Sequence, residues 1–314
     1  MPYIIVGALV LLLAAVLLTS YISYRMAFYR GKNKVADPYG HLESEHMKPY
    51  KETTRTLIDR VRSAEGETVS ITSHDGLRLF GRYYHQKDGA PIVIQLHGYK
   101  STPYCDFAGG YKIVTDSGLN LLHCEQRAHE SSEGKTITYG ILESEDCVRW
   151  VEYLTDRFGK NTKIILCGIS MGAATVLMAA GKPLPESVVG VIADSPYSSP
   201  VDIILKVARE DMHLPTGLLY PFLLLGARLF GGFDLKADSP IEAVKRAKVP
   251  ILLFHGKADG FVPHEMSVRL YEAARDKISF HSFDGAHHGM CYMVDTERYT
   301  AVTNEFLSSL GLLV

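Results

Sequence analysis

The sequence predicts an α/β protein: a mostly parallel central sheet with helices on both faces, a helical lid insertion and an N-terminal transmembrane helix. Three observations carry this. From Glu67 onward, apolar β-favouring runs alternate with stretches of helical periodicity, the pattern of parallel strands joined by crossover helices. Over residues 200–238 the alternation gives way to an unusually apolar helical stretch. Tyr3 to Ile22 is almost unbroken apolar sequence without a charge.

A chain of 314 residues can bury one large core, and a single domain with an insertion fits better than two domains. The net charge of −2 gives no reason to expect a nucleic-acid partner. Its five cysteines, Cys105, Cys124, Cys147, Cys167 and Cys291, are odd in number, scattered and mostly inside apolar runs. That pattern fits reduced thiols in a reducing compartment. There is no Cys-x-x-Cys or His-Glu-x-x-His spacing, so neither a metal nor another cofactor is expected.

Twenty helical residues at about 1.5 Å each span about 30 Å, the hydrocarbon thickness of a bilayer. Tyr3–Ile22 therefore reads as a single-pass membrane anchor, since neither a basic leader nor an Ala-x-Ala site argues for a signal peptide. Arg25, Arg30, Lys32 and Lys34 follow it, which by the positive-inside rule places the rest of the chain in the cytoplasm at the cell membrane. Residues 1–34 are read as anchor and basic flank, and 35–65 as a polar connector, helical where Tyr50, Leu57, Ile58 and Val61 recur. Residues 66–314 form the folded domain, with the lid at about 200–238. Removing residues 1–30 is expected to leave that domain intact.

Within the domain, Glu67–Thr72 and Leu77–Tyr84 read as a hairpin about an Asp75-Gly76 turn. Pro91–Leu96, Leu119–His123, Lys163–Cys167, Val188–Ala193, Val249–Phe254 and Ile278–Phe283 read as further strands. Helices are expected over Tyr104–Asp116, Ile141–Phe158, Ala173–Ala180, Ile241–Ala247, Pro263–Arg275 and Thr296–Leu310. The lid holds two helical pieces, Ile203–Met212 and Gly217–Phe230, punctuated by Pro215 and Pro221. It is too short and interrupted to cross a membrane, so a cover over a cleft is the better reading.

The stretch Gly168 to Gly172, GISMG, lies between a β-favouring run and a small-residue helical run. A serine on so sharp a strand-to-helix turn needs glycine two residues before and two after, for steric reasons. The turn would push the Ser170 hydroxyl out of the sheet and leave the Met171 amide facing a developing oxyanion. A serine nucleophile needs a base, and the base needs an acid to hold its tautomer. HGKADGFVP places Asp259 just beyond one strand, and DGAHHGM places His287 and His288 beyond the next. Loops at the carboxyl ends of parallel strands share one edge of the sheet, so these residues can converge.

HGY at 97–99, GISMG at 168–172, DSPY at 194–197, HGKADGFVP at 255–263 and the final HHG together resemble the α/β-hydrolase superfamily. The resemblance is closest to its monoacylglycerol-lipase and serine-aminopeptidase-like branch, in membrane-anchored bacterial form, and covers about Glu67 to Leu310. It implies the α/β-hydrolase fold, with Ser170 as nucleophile, Asp259 as acid and His288 as base. It also implies an oxyanion hole made by the backbone amides of Tyr99 and Met171, with His97 and Gly98 shaping that loop. EQRAHESSEG at 125–134 resembles the family's D-x-R-G-x-G-x-S-x-G segment. Here glutamate stands for the first aspartate, and Ala128 and Glu130 for two glycines.

Rivals stand beside these assignments. Asp194 also follows a strand and competes as the acid, and His287 competes as the base. His255 reads as a structural histidine. Arg127, Glu143 and Asp146 read as surface or loop-bracing ion pairs of little individual worth. The function expected is a serine hydrolase cleaving an ester, thioester or amide through an acyl-enzyme, on a lipophilic or acyl-lipid substrate. An acyltransferase with the same triad, or a non-enzymatic membrane binding protein on this fold, are the alternatives.

Overall fold

The computed structural model describes residues 2–31 and 37–313. Lys32 and Lys34 of the expected basic flank lie outside the described residues. Helix α1 (Pro2–Ala27) is followed by two short helical turns, Gly40–Glu43 and Lys48–Tyr50, and by α2 (Lys51–Ser63). The sheet then begins with β1 (Glu67–Thr72), β2 (Arg78–Tyr84) and β3 (Ile92–Leu96). Next come α3 (Pro103–Asp106), α4 (Ala108–Asp116), β4 (Asn120–Cys124), α5 (Ile141–Phe158), β5 (Ile164–Ile169), α6 (Met171–Ala180) and β6 (Val188–Asp194). The lid holds α7 (Pro200–Lys206) and α8 (Thr216–Gly226), each running on into a wide π-helical turn. The chain closes with α9 (Pro240–Arg246), β7 (Ile251–Gly256), α10 (Glu265–Ala273), β8 (Ile278–Phe283), α11 (Cys291–Val294) and α12 (Thr296–Ser309).

All eight strands form one sheet in the order β1-β2-β4-β3-β5-β6-β7-β8. Only the β1–β2 and β2–β4 pairings are antiparallel. From β4 to β8 every neighbour is parallel, so the carboxyl ends of β3, β5, β6, β7 and β8 share one edge. The central strands are buried on both faces, which is why they read as continuous apolar runs. On one face Trp150, Leu154, Val176, Leu177, Val244 and Leu270 from α5, α6, α9 and α10 pack against the sheet. On the other face Val61, Tyr111, Ile113, Tyr299 and Leu307 from α2, α4 and α12 do so. This is the α/β-hydrolase architecture the sequence predicts.

Three local expectations are corrected. The helix expected over Tyr104–Asp116 is broken at Phe107 into α3 and α4, so Asp106 ends a helix and faces the loop after β3. Pro221 does not interrupt the lid but lies inside α8. Its missing N–H removes the bond to the Gly217 carbonyl one turn earlier, and the helix runs on through it.

Arg127, Glu143 and Asp146 are buried, not surface pairs. Arg127 holds Asp146 bidentately at 2.6 and 2.7 Å and reaches Asp75, in the β1–β2 turn, at 2.9 and 3.1 Å. Glu143 accepts from the amides of Thr138 and Gly140, both at 2.8 Å, and so caps α5. Charged side chains can be buried here because each meets a complementary partner. Arg127→Ala should therefore cost about 3–5 kcal/mol of stability, the scale for a buried charge left alone. Burial already pushes the Asp146 carboxyl up, to about 6, with Arg127 pulling it back down. Without that pull the folded carboxyl binds its proton more tightly still, so stability falls further as pH rises above the unfolded value. Urea titrations of the variant and wild type should show a larger deficit at pH 8 than at pH 5.

Helix α1 is long and apolar enough to cross a membrane, and most of it is exposed. Its last turns behave differently. Tyr24 and Phe28 are buried in one cluster with Ile203, Leu223 and Phe233 of the lid region. The Ser20 carbonyl packs where a Cβ on Gly226 would sit, so only glycine lets α8 approach so closely. Beyond the helix, Tyr29 bridges Thr136, and the Ile137 amide donates to the Phe28 carbonyl at 2.8 Å. Deleting residues 1–30 would thus remove two core side chains along with the apolar segment.

Candidate active site

The tight approach of α6 to the sheet explains both glycines of GISMG. A Cβ on Gly172 would overlap the Leu96 carbonyl, and one on Gly168 the Gly172 carbonyl. Between them Ser170 adopts φ 55°, ψ −118°, a conformation costly for any residue with a side chain. Its amide is held by the Asp194 carbonyl at 2.8 Å, and its hydroxyl stands at the start of α6.

Two loops on the same sheet edge meet that hydroxyl. His288, after β8, places Nε2 at 2.8 Å from Ser170 Oγ and Nδ1 at 2.7 Å from Asp259 Oδ2, after β7. A carboxylate can only accept, so Nδ1 carries the proton and Nε2 is left to accept from the serine. Asp259 Oδ1 accepts from the Phe261 and Val262 amides at 2.9 and 2.8 Å. Burial works against the Asp259 charge, but hydrogen bonds from His255 and His288 outweigh it and hold the carboxyl below the ordinary carboxylate range. His255 is satisfied structurally, with Ser267 at 2.6 Å and the Val262 carbonyl at 2.9 Å, and it also stands 3.2 Å from Asp259.

The rivals lie elsewhere. His287 stacks on His46 with ring centroids 3.5 Å apart. Asp194 receives the Ser195 hydroxyl at 2.9 Å, and burial pushes its carboxyl up, against the charge an orienting acid needs.

Tyr99 follows β3, the neighbour of β5, and lines one cavity with Ser170 and Met171. Among the described residues no protein acceptor pairs with the amide of Tyr99 or of Met171. Besides His97, the loop carrying Tyr99 is pinned by two residues the sequence reading did not single out. Asp106 accepts from the Gly98 amide at 2.6 Å and from Ser101 Oγ at 2.5 Å. His129 accepts from the Lys100 amide at 3.0 Å. His97 is buried, accepts from the Gln126 amide at 3.2 Å, and is pushed down to about 4 by that burial. It stays neutral and shapes the loop. Nothing in the local sequence marks Asp106 or His129, because their roles depend on loops meeting in space.

The 125–134 loop takes left-handed turns without the family's glycines. Ala128 and Glu130, standing where the family has glycine, both take positive φ (62° and 45°). His74, Asp75 and Asp146 cluster as metal ligands do, but Arg127 occupies both carboxylates.

Two cavities meet at Ser170. One, of about 410 Å³, includes His41, Ser101, Asp106, His287 and His288 in its wall. The other, of about 480 Å³, lies between the lid and the end of α1 and is largely apolar.

Fold and sheet-edge geometry define an α/β hydrolase. Residues 136–310 match the prolyl oligopeptidase family, and the chain belongs to that family. Among curated proteins it is 26% identical to Bacillus subtilis YqkD over 81% of this chain and 83% of that protein. It is 30% identical to human ABHD12B over 60% of this chain and 51% of that one. Of solved structures, the Pyrococcus furiosus esterase Pf2001 superposes with a TM-score of 0.65 at 25% identity, covering 80% of this chain and 93% of the esterase. The Pyrococcus horikoshii acylaminoacyl peptidase shares the fold (TM-score 0.60, 18% identity, 81% of this chain and 43% of that one).

Proposed function

We propose that this hydrolase cleaves a carboxylic ester of a lipophilic acyl group through an acyl-enzyme on Ser170. The reading rests on one observation above all: the Ser170–His288–Asp259 hydrogen-bonded chain, at 2.8 and 2.7 Å, on loops after parallel strands. Ser170 Oγ attacks the carbonyl carbon while His288 Nε2 takes its proton. The oxyanion forms against the amides of Tyr99 and Met171, the latter at a helix N-terminus that favours negative charge. As the carbonyl–leaving-group bond breaks, His288 returns the proton to the departing alcohol. Water then attacks the acyl carbon by the same route, releasing the acid and restoring Ser170. Asp259 keeps the imidazole oriented and stabilises its charged form.

The largely apolar cavity beside Ser170 favours an acyl lipid over a peptide, although the family also holds peptidases by name. Helix α1 serves as a single-pass anchor, and Arg25 and Arg30 at its end keep the domain on the cytoplasmic face.

The paired histidines provide the test. His288→Ala should lower kcat/KM on an aryl ester by on the order of 10³-fold or more. His287→Ala, which breaks only the stack on His46, should cost about tenfold or less. A reversed ranking would assign the base to His287 and remove the observation on which the reading rests.

A further inference from the structure

The two cavities at Ser170 divide the substrate between them. His288 lies in the wall of the first and not of the second. Its Nε2 must reach the leaving group to protonate it, so the leaving group occupies the first cavity. The acyl carbon stays bonded to Ser170, and the rest of the acyl group then extends into the second. This follows from the proposed serine chemistry and depends on it.

What makes the second cavity unusual is its outer wall. Ile204, Ala208 and Leu223 of the lid form one side, while Ile22, Ser23 and Met26 of α1 form the other. Its rim is apolar yet open: Ile22 and Met26 are each 48% exposed and Met212 is 46% exposed. Leu218, Leu229 and Phe230 continue that apolar surface along α8 and the turn after it. Isolated exposed apolar side chains need no explanation, but a patch contiguous with a membrane-length helix does. Lipid against that rim gives the exposed residues an apolar solvent.

We infer that α1 is part of the substrate site: the cavity between α1 and the lid binds the acyl chain of a bilayer lipid, which enters sideways from the membrane. The helix then has two tasks, to hold the enzyme at the bilayer and to complete the acyl site. The Tyr99 hydroxyl, 3.0 Å from the Ala27 carbonyl, ties the end of α1 to the oxyanion loop.

The test uses the full-length protein in phosphatidylcholine vesicles. Active sites are counted by a small fluorophosphonate, and nitrophenyl esters from acetate to decanoate are the probes. Each methylene moved from water into an apolar site is worth about fourfold, so kcat/KM should rise at least tenfold from acetate to decanoate. Ala208→Trp from the lid wall and Ser23→Trp from the α1 wall should each lower the decanoate-to-acetate ratio by about tenfold or more. Two variants on opposite walls guard against one that merely misfolds. Umbelliferyl oleate placed in the enzyme's own vesicles should turn over at least tenfold faster than the same ester in separate vesicles. A flat chain-length profile with the serine labelled, or unchanged ratios in both variants, overturns the acyl site and leaves the hydrolase standing. Equal rates from the two vesicle populations overturn sideways entry. Neither labelling nor turnover of any ester would instead remove the serine reading itself.

Discussion

Ser170→Ala should lower kcat on a water-soluble aryl ester by on the order of 10⁵–10⁶-fold, the cost of deleting a serine nucleophile. In the proposed mechanism the hydroxyl is the atom that bonds to the acyl group, and His288 alone would not replace it. Circular dichroism should be unchanged, because the elbow is fixed by Gly168 and Gly172 rather than by the serine side chain. A second readout comes from the backbone. At φ 55°, ψ −118° any Cβ is strained, so Ser170→Gly should be more stable than Ser170→Ala by about 1 kcal/mol. Residual activity within tenfold of wild type would contradict the nucleophile assignment. An alanine variant as stable as the glycine one would contradict the strained turn.

Asp259→Asn should lower kcat by about 10⁴-fold, since an amide lets the imidazole settle in the wrong tautomer and leaves its charged form unsupported. Asp194→Asn should cost less than about tenfold, because its carboxyl pairs with Ser195 and is not bonded to His288. The two substitutions are equally conservative and both sites are buried, so the contrast isolates the contact at 2.7 Å. Equal losses would mean that burial of a carboxylate, not orientation of His288, is what matters.

Much of this molecule was legible in its sequence, and the exceptions share a cause. The strands were readable because parallel strands buried on both faces become short apolar runs, and β1, α5 and β8 begin and end where periodicity placed them. Ser170, Asp259 and His288 were readable as loop residues after strands, and these loops meet on one sheet edge. What stayed hidden depended on partners distant in sequence. Arg127 looks like a surface residue until Asp75 and Asp146 are brought to it by the hairpin and α5. Asp106 and His129 brace the loop carrying Tyr99 only because three loops fold together. Phe28 sits just beyond an apolar helix, and nothing local says that it packs against Phe233, with ring centroids 5.2 Å apart. Ala128 and Glu130, which stand for glycines of the family motif, are held in left-handed conformations that the residue types do not announce.

The central claim, that Ser170 is acylated during turnover, is tested most directly by mass spectrometry of the full-length protein quenched in acid during steady-state hydrolysis of nitrophenyl decanoate. The account predicts a mass increase of one decanoyl group, mapped by proteolysis to the peptide carrying Ser170 and absent from Ser170→Ala. A decanoyl group on any other residue, or full turnover with no acyl adduct under rapid quench and none trapped by fluorophosphonate, would contradict it.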